Sequence, residues 1–384
     1  MAKKKVEGYL SAKESRKISR ENRRITSEFE KKRKRKNVPE SEYTTTMKNP
    51  ENVVEIDNLH TYFFTDAGTV KSVNGVSFEV PIGKTVGVVG ESGCGKSVTS
   101  LSIMQLVQRP QGQCVDGEIR LNLGDGKAYN IVNTPNEKMQ GIRGNYVSMI
   151  FQEPMTSLNP VFRIGDQVDE VIALHNPDMS KEDVKARTIE MLELVGIANS
   201  EGVYKMFPHE LSGGMRQRIV IAMGLACNPK LIIADEPTTA LDVTIQAQIL
   251  DLLRDLKDKI NSSIMLITHD LGVIAEMADY VVVMYAGRVV EKGTANEIFK
   301  DPRHPYTIGL MNSKPVVGKQ VDRLYSIPGK VPNPIDMPNY CYFKDRCEMC
   351  VAGCEGAYPE MVKVSETHYV SCYRHYENAV KEEK

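Results

Sequence analysis

Long apolar segments are absent from this sequence. No stretch of its 384 residues approaches the ~20 consecutive apolar residues that a membrane-spanning helix needs. The basic N-terminus is not followed by an apolar run, so no secretory signal peptide is predicted. Any path across a bilayer would therefore belong to other chains. A composition of 26% charged and 41% hydrophobic residues is ordinary for a soluble protein, and the length suits one large α/β domain with appendages.

Net charge is also nearly absent, at −1, but this balance hides a basic N-terminal arm. Residues 1–48 carry 16 Lys+Arg and 7 Asp+Glu, and residues 31–36 are all basic. Because the arm has almost no apolar residues, we expect residues 1–50 to form a disordered or marginally helical segment. Three roles are open for it: a solvated charge run without a partner, attachment to anionic lipid headgroups, or binding to nucleic acid or ribosomes.

A phosphate-binding loop is the most informative motif. The apolar residues 86–89 predict a buried strand and residues 97–106 predict a helix, with a G-x-x-x-x-G-K-S sequence between them. Glycines let successive backbone N–H groups point at phosphate oxygens, and the helix N-terminus adds partial positive charge. Lys96 is expected at the β- and γ-phosphates and Ser97 at Mg²⁺, so the chain should bind ATP or GTP. The predicted nucleotide-contacting residues are Gly90, Glu91, Ser92, Gly93, Cys94, Gly95, Lys96, Ser97 and Val98.

A second anion site follows at Leu211-Ser212-Gly213-Gly214, which opens another predicted helix. Bare N–H groups, a hydroxyl and the helix dipole favour a phosphate there too. Two such cradles in one chain make sense if the second closes over a nucleotide held by a neighbouring subunit. Here the sequence resembles the ATP-binding-cassette (ABC) family, whose signature is this L-S-G-G. The resemblance covers roughly residues 52–300.

The resemblance implies further nucleotide contacts. Phe63 lies where the family stacks an aromatic ring on adenine, although a core position suits the same ring. Gln152 matches the family's glutamine that contacts Mg²⁺ and the attacking water and that senses the membrane partner.

It also implies a complete hydrolytic set. Asp235 and Glu236 end an apolar strand, where Asp235 suits the Mg²⁺ shell and Glu236 suits a base that polarises water. Asp242 belongs to the family's next motif and is expected to contact the nucleotide, as are Ser212, Gly213 and Gly214 of the signature. His269 follows another apolar strand, at the position where the family places a histidine on the γ-phosphate.

The implied fold is an α/β P-loop NTPase of the ABC type. It would comprise a RecA-like core over residues 51–305, with a helical subdomain inserted at about 155–228, and a small Cys-rich extension over 306–384. Apolar residues recur with helical spacing over 181–195, which fits the inserted subdomain. No long coiled coil and no second phosphate loop occur, which argues against the chromosome-maintenance and tandem-cassette translation branches.

Sequences around residues 151–160, 303–307 and 327–329 resemble the ATPases of bacterial oligopeptide, dipeptide and nickel importers. The implied partners are a second ABC ATPase, two transmembrane permeases and an extracellular solute-binding protein, with this chain peripheral at the cytoplasmic face of the membrane. Oligopeptides or dipeptides are the expected solutes, and nickel or another small solute is the alternative. A soluble ABC ATPase acting on ribosomes or RNA is the rival, whereas a metal sensor that merely binds ATP would leave the hydrolytic set unexplained.

Five of the eight cysteines lie in the last 44 residues. Disulfides are rare in cytosolic proteins, so clustered thiols indicate a metal. Cys341, Cys347, Cys354 and Cys372 match the four-cysteine pattern that the peptide-importer ATPases associate with a [4Fe–4S] cluster. Cys350 departs from that pattern and forms a C-x-x-C with Cys347, which is zinc-ligand spacing. A [4Fe–4S] cluster, zinc and no metal all stay open, and a structural role is expected rather than redox catalysis.

Overall fold

The computed structural model describes residues 11–124, 126–151, 157–238, 242–313, 325–335 and 337–378. The strands are β1 (Thr44–Thr45), β2 (Asn52–Thr65), β3 (Gly68–Pro81), β4 (Thr85–Val89), β5 (Gly112–Gly124), β6 (Lys127–Asn130), β7 (Val147–Ile150), β8 (Leu231–Asp235), β9 (Ser263–Ile267), β10 (Tyr280–Tyr285), β11 (Arg288–Thr294), β12 (Val362–Lys363) and β13 (Tyr369–Val370). The α-helices are α1 (Ala12–Arg33), α2 (Lys96–Ile103), α3 (Asn136–Ile142), α4 (Ile164–His175), α5 (Lys181–Leu194), α6 (Ser200–Tyr204), α7 (Gly213–Leu225), α8 (Val243–Lys259), α9 (Leu271–Met277), α10 (Ala295–Lys300) and α11 (Pro305–Asn312).

The larger sheet has the strand order β12-β13-β11-β10-β4-β9-β8-β7. Strands β10, β4, β9, β8 and β7 run parallel, while β11, β12 and β13 join antiparallel at one side. All five residues of β4, β8 and β9 are buried, which is why these strands are continuous apolar runs in the sequence. The carboxyl ends of parallel strands meet at one edge of the sheet, and the predicted site residues follow three of these ends.

The smaller sheet is antiparallel, with the order β1-β6-β5-β2-β3. Its central strand β2 pairs with both β3 and β5, and residues such as Val54, Ile56 and Leu59 are buried. Their side chains join a hydrophobic cluster that also contains Val86 and Val88 of β4. The two sheets therefore share a core beneath the phosphate loop.

A helical layer occupies residues 164–225. The predicted helix over 181–195 is confirmed as α5, which begins after the N-cap Ser180 and stops before Gly196, where φ is +75°. Val184, Leu192 and Val195 are buried in one hydrophobic cluster with residues of α4 and α7. Within the residues described, no helix is both long and apolar enough to cross a bilayer.

The basic arm contains a helix, which is one of the two states expected for it. Residues 12–33 form α1, which Ser11 and Glu14 begin with a reciprocal capping box. Asn22 Nδ2 donates to Thr65 O at 2.8 Å, and Ser19 Oγ donates to Asp66 Oδ1 at 2.6 Å. Polar contacts to the β2–β3 turn thus attach the helix to the rest of the domain.

Residues 325–335 and 337–378 form a lobe of short elements, which we name the cysteine lobe. Its strand β13 pairs with β11, placing Val370 opposite Glu291, so the lobe extends the larger sheet. Short 3₁₀ turns at Lys344–Arg346 and Ala352–Glu355 separate its cysteines. The lobe is therefore attached directly to the domain that carries the phosphate loop.

Candidate functional site: a phosphate loop and an adjoining cysteine lobe

The phosphate loop begins immediately after β4, and two of its glycines have conformations that exclude a side chain. Gly90 has φ +152° and Gly95 has φ +101°. A Cβ atom on Gly90 would lie 2.2 Å from the carbonyl oxygen of Met284, and one on Gly95 would lie 2.4 Å from that of Ser72. The loop is thus packed against β10 and β3, and it can hold this shape only with glycine.

Lys96 opens α2 and is buried, with 6% of its surface exposed. Its Nζ donates to the carbonyl oxygens of Gly90 at 2.8 Å and Glu91 at 3.1 Å. Ser92 and Gly93, at the outer turn of the loop, are exposed. The ammonium group therefore lies within the loop, where it neutralises carbonyl dipoles and can exchange them for phosphate oxygens.

Ser97 and Asp235 bring two oxygen donors together beside the loop. Ser97 Oγ donates to Asp235 Oδ1 at 3.1 Å, across from the start of α2 to the end of β8. Burial raises the pKa of Asp235, and the hydrogen bond from Ser97 opposes that rise. A hydroxyl and a carboxylate are ligands that Mg²⁺ prefers, so these residues fit the predicted metal position.

Glu236 and His269 meet at the ends of the adjacent strands β8 and β9. His269 Nδ1 lies 3.2 Å from Glu236 Oε1, and the imidazole is 68% exposed. Glu236 has φ +48°, a conformation that is uncommon outside glycine. Its N–H donates to Ile267 O at 2.8 Å, which fixes the strained residue at the sheet edge. The geometry suits a base oriented by a neighbouring imidazole.

The L-S-G-G signature lies at the N-terminus of α7. Ser212 is the N-cap, and its Oγ accepts the N–H of Met215 at 3.3 Å. Ser212 and Gly213 are both exposed, so this helix N-terminus is open to an incoming anion. Farther along α7, the buried Gln217 donates to the carbonyl oxygen of Pro237 at 2.7 Å. The signature helix is thereby linked to the residue that follows Glu236.

The remaining predicted residues are less closely grouped. Phe63 is half-buried on β2, and its ring lies against Gly112 of β5, where a Cβ atom would approach Cε1 to 2.8 Å. Asp242 is the N-cap of α8, and its Oδ1 accepts the N–H of Ile245 at 3.0 Å. Gln152 lies outside the described residues.

Two residues outside the predicted site also reach the phosphate loop. Tyr306 OH accepts the N–H of Glu91 at 2.8 Å, and the Arg346 guanidinium pairs with the Glu91 carboxylate, with Nη1 2.8 Å from Oε2. Tyr306 lies in the 303–307 motif and Arg346 directly precedes Cys347, so both have local sequence markers. Neither marker indicates a contact with residue 91, because the contacts span 215 and 255 residues of chain.

Four of the five clustered cysteines line one small cavity in the cysteine lobe: Cys341, Cys347, Cys354 and Cys372. Burial raises the pKa of Cys341 to about 12 and that of Cys372 to about 11, and the neighbouring thiols contribute to both shifts. Cys350 is exposed and does not line the cavity. All eight cysteines of the chain are free thiols.

Four converging thiols have the chemistry of a metal-binding set, since a cation would offset the repulsion between neighbouring thiolates. Nevertheless, over the residues described, no group of three or more His, Cys, Asp or Glu side chains is arranged to hold a metal ion. The cavity therefore collects the predicted ligands without forming a closed coordination site.

Comparison with known proteins places this geometry in a family. The ABC transporter family matches residues 73–239, and the family described as oligopeptide/dipeptide transporter, C-terminal region, matches residues 290–354. The oligopeptide transport ATP-binding protein AppD of Bacillus subtilis (strain 168) is 49% identical over 330 residues, covering 86% of this chain and 99% of that protein. The chain belongs to the ABC transporter family, in its oligopeptide/dipeptide branch.

Other relatives of this ABC ATPase agree. The oligopeptide transport ATP-binding protein OppD of Bacillus subtilis (strain 168) is 50% identical over 86% of this chain and 91% of that protein. The dipeptide transport ATP-binding protein DppD of Lactococcus lactis subsp. cremoris (strain MG1363) is 48% identical over 84% and 91%. Among solved structures, the dimeric post-hydrolysis state of the ATP-binding cassette MJ0796 with ADP and Pi is 25% identical, with a TM-score of 0.55 over 63% of this chain and 98% of that one. The predicted P-loop α/β fold and ATPase class are confirmed.

Proposed function

We propose that this ABC ATPase powers the import of oligopeptides or dipeptides. The observation that supports the branch most directly is the cysteine lobe. Its matched region carries Arg346, which contacts the phosphate loop, so the segment that marks the transporter type is joined to the nucleotide site. The relatives named for oligopeptide and dipeptide transport support the same solute class.

In the proposed chemistry, Ser97 and Asp235 hold Mg²⁺, as the sequence also suggests for Gln152. The ion supplies positive charge that neutralises the phosphate oxygens. Glu236 polarises the water that attacks the γ-phosphate, and His269 contacts that phosphate and orients the carboxylate at 3.2 Å. Lys96 leaves its loop carbonyls for the β- and γ-phosphates.

A second cassette completes the site in this proposal. The exposed N-terminus at Ser212 closes over the nucleotide of a partner ATPase, which in turn closes over the nucleotide at Lys96. Phe63 stacks on adenine and Asp242 lies near the dimer contact. We take the partner to be a second, different ATPase subunit. Two permeases and an extracellular solute-binding protein complete the transporter, and this chain is peripheral at the cytoplasmic face.

We also propose boundaries for the domains. We assign residues 51–305 to the ABC ATPase domain, with the helical subdomain at about 155–228, and residues 306–384 to the importer-specific extension. Cleavage by a protease of low specificity under native conditions should leave the ATPase domain and the cysteine lobe associated, because β13 pairs with β11. Separation of the two on gel filtration without denaturant would contradict this division.

We also propose that the cysteine lobe holds a [4Fe–4S] cluster, with zinc as the alternative. The four cysteines that line the cavity are Cys341, Cys347, Cys354 and Cys372, and four thiolates are what such a cluster needs. Exposed Cys350 supplies a matched control. Anaerobic purification followed by iron, sulfide and zinc analysis should find iron and sulfide in the wild type and Cys350→Ser, but not in Cys354→Ser. Zinc alone at one per chain would overturn the cluster.

For α1 we propose contact with anionic lipid headgroups. Its exposed side chains include Arg16, Arg20, Arg23 and Arg24, while its hydrogen bonds to the β2–β3 turn are made by Ser19 and Asn22. Wild-type protein should co-sediment with vesicles containing phosphatidylserine at low salt, and a variant with all four arginines changed to glutamine should not. Equal sedimentation of both would eliminate this role, and binding of RNA instead would favour the ribosomal alternative.

The transport function is tested by uptake of labelled dipeptides and oligopeptides in cells. A chromosomal Glu236→Gln substitution should abolish uptake while leaving the protein level normal. If peptide uptake is unchanged at normal expression, the peptide assignment fails, and uptake of nickel and other small solutes becomes the next measurement. Nuclease-resistant association with membranes supports the importer, whereas association with ribosomes would support the soluble rival.

A further inference from the structure

Arg346 occupies an unusual place between the cysteine lobe and the nucleotide site. It ends the 3₁₀ turn Lys344–Arg346, directly before Cys347, and its side chain is only 5% exposed. Its guanidinium forms two parallel bonds with the carboxylate of Glu91: Nη1 lies 2.8 Å from Oε2 and Nη2 lies 3.0 Å from Oε1. Such fork-to-fork pairs fix both distance and orientation.

The lobe and strand β10 together hold this guanidinium on its other sides. Nε donates to Pro328 O at 2.8 Å, and Nη1 donates to Tyr285 OH at 3.3 Å. The group lies 5.8 Å from the ring centre of Phe343, which lines the cysteine cavity. Arg346 is therefore held between Pro328 and Phe343 of the lobe and Tyr285 of β10, so a change in the arrangement of the lobe would displace the guanidinium.

Glu91 is bound at every polar group that it has. Arg346 holds its carboxylate, Tyr306 OH accepts its N–H at 2.8 Å, and Lys96 Nζ donates to its carbonyl oxygen at 3.1 Å. Only the bond from Lys96 must break when phosphates arrive. The other two hold the start of the phosphate loop at a fixed position relative to α11 and the cysteine lobe.

We infer that Arg346 is a positioning residue for nucleotide binding and that it couples the cysteine lobe to the phosphate loop. This inference rests on the proposed function of the nucleotide site. It assigns Arg346 no contact with ATP: the residue acts through Glu91. A lobe that loses its native arrangement would release the Glu91 carboxylate, and the loop would then have to be ordered at the expense of nucleotide affinity.

The test is a double-mutant cycle on full-length protein, with the affinity for mant-ATP and Mg²⁺ measured by fluorescence titration. Arg346→Gln and Glu91→Gln should each weaken binding by about tenfold, as expected for loss of a charge-assisted pair. The double variant should be no weaker than either single variant. Arg346→Lys should show an intermediate affinity, because lysine retains the charge without the fork. Lys330→Gln, at an exposed cation of the same lobe, is the matched control.

Two outcomes would overturn the inference. Unchanged affinity in well-folded Arg346→Gln, judged by an unaltered melting temperature, would overturn it. Additive losses in the double variant would also overturn it, because they would mean that the two residues act independently. If Arg346→Gln does not fold, Arg346→Lys and Glu91→Gln carry the same comparison. Failure of the wild type to bind ATP would refute the proposed function itself.

The coupling to the lobe has a separate measurement. Cys354→Ser disturbs the cavity without touching the phosphate loop, so it should weaken mant-ATP binding in the wild-type background. In the Arg346→Gln background the same change should have no further effect. An equal loss in both backgrounds would show that the cavity influences the nucleotide by another route and would overturn the coupling through Arg346.

Discussion

Replacement of Glu291 by glutamine should destabilise the region behind the phosphate loop. Glu291 is fully buried on β11, and its carboxylate accepts three hydrogen bonds. Oε1 accepts the N–H of Arg303 at 2.6 Å and lies 2.7 Å from His368 Nε2, while Oε2 accepts the N–H of His304 at 2.9 Å. This one side chain therefore joins β11, the start of α11 and the strand end of the cysteine lobe.

The loss of stability follows from the number of buried N–H donors that lose their acceptor. An amide has one oxygen, so Glu291→Gln must direct its NH₂ group at a backbone or imidazole N–H, leaving at least one buried donor unpaired. Removal of one partner from a buried charged network costs about 3 kcal/mol. For a protein of this size, ~2 °C per kcal/mol gives a melting temperature lower by roughly 6 °C.

Thermal unfolding at neutral pH, followed by circular dichroism, measures this effect. Glu276→Gln is the control, because that carboxylate is 59% exposed and pairs with Arg254 at the surface. Burial alone would raise the pKa of Glu291, but the hydrogen bonds from His368 and the backbone lower it below its ordinary value. The ionised Glu291 carboxylate stabilises the protein at any pH above its pKa in the unfolded chain, and this stabilisation is lost as the pH falls through its pKa in the folded protein. The difference in melting temperature between wild type and Glu291→Gln should therefore shrink below about pH 4. A decrease in melting temperature of less than 2 °C at pH 7 would refute the stability assigned to the hydrogen bonds of Glu291.

Three other predictions concern single side chains. Glu236→Gln should bind ATP with near wild-type affinity but hydrolyse it about 10²–10⁴-fold more slowly, and retention of more than a tenth of the turnover would remove Glu236 from its role. Gln217→Leu deletes the hydrogen bond to Pro237 O, so it should lower the free energy of unfolding, measured in urea, by about 1 kcal/mol. It should also reduce kcat more than it raises KM. An effect on KM alone would argue against a link between the signature helix and Glu236. Burial alone would raise the pKa of Glu297, but hydrogen bonds from Ser365, Thr294 and Thr367 outweigh it and lower the pKa to about 2. Glu297→Gln should therefore be less stable than the wild type at pH 7. The difference in free energy of unfolding should disappear between about pH 4 and pH 2, as the native carboxylate becomes protonated. A difference that does not depend on pH would contradict this assignment.

Much of the nucleotide site could be predicted from sequence because its determinants are local. Apolar runs predicted the buried strands that precede Gly90, Glu236 and His269, and short motifs identified the chemistry at each strand end. Parallel strands then place these ends at one edge without further information. The positive φ of Glu236 had no such marker, since nothing in its side chain predicts a left-handed backbone.

The features that sequence patterns missed depend on contacts between distant segments. Helix α1 is held through Ser19 and Asn22, whose polar partners on the β2–β3 turn lie more than 40 positions away. Strand β13 has two residues, too few for a period-two pattern. Glu91 lies in the phosphate loop, and Arg346 directly precedes Cys347 of the cysteine pattern. Each motif is explained by its own ligand, so the sequence gives no reason to expect a contact between them.

The hydrogen bonds around Glu91 indicate how the loop could change on binding. Lys96 donates to two loop carbonyls that phosphate oxygens would replace, and this exchange needs only rotation of a flexible side chain. The backbone N–H and the carboxylate of Glu91 are meanwhile held by Tyr306 and Arg346, whose own positions are set by α11 and the cysteine lobe. Because the start of the loop is already ordered, nucleotide binding does not have to offset the conformational entropy lost in ordering it. Affinity in this ABC ATPase therefore depends on residues more than 200 positions beyond the glycines that form the cradle.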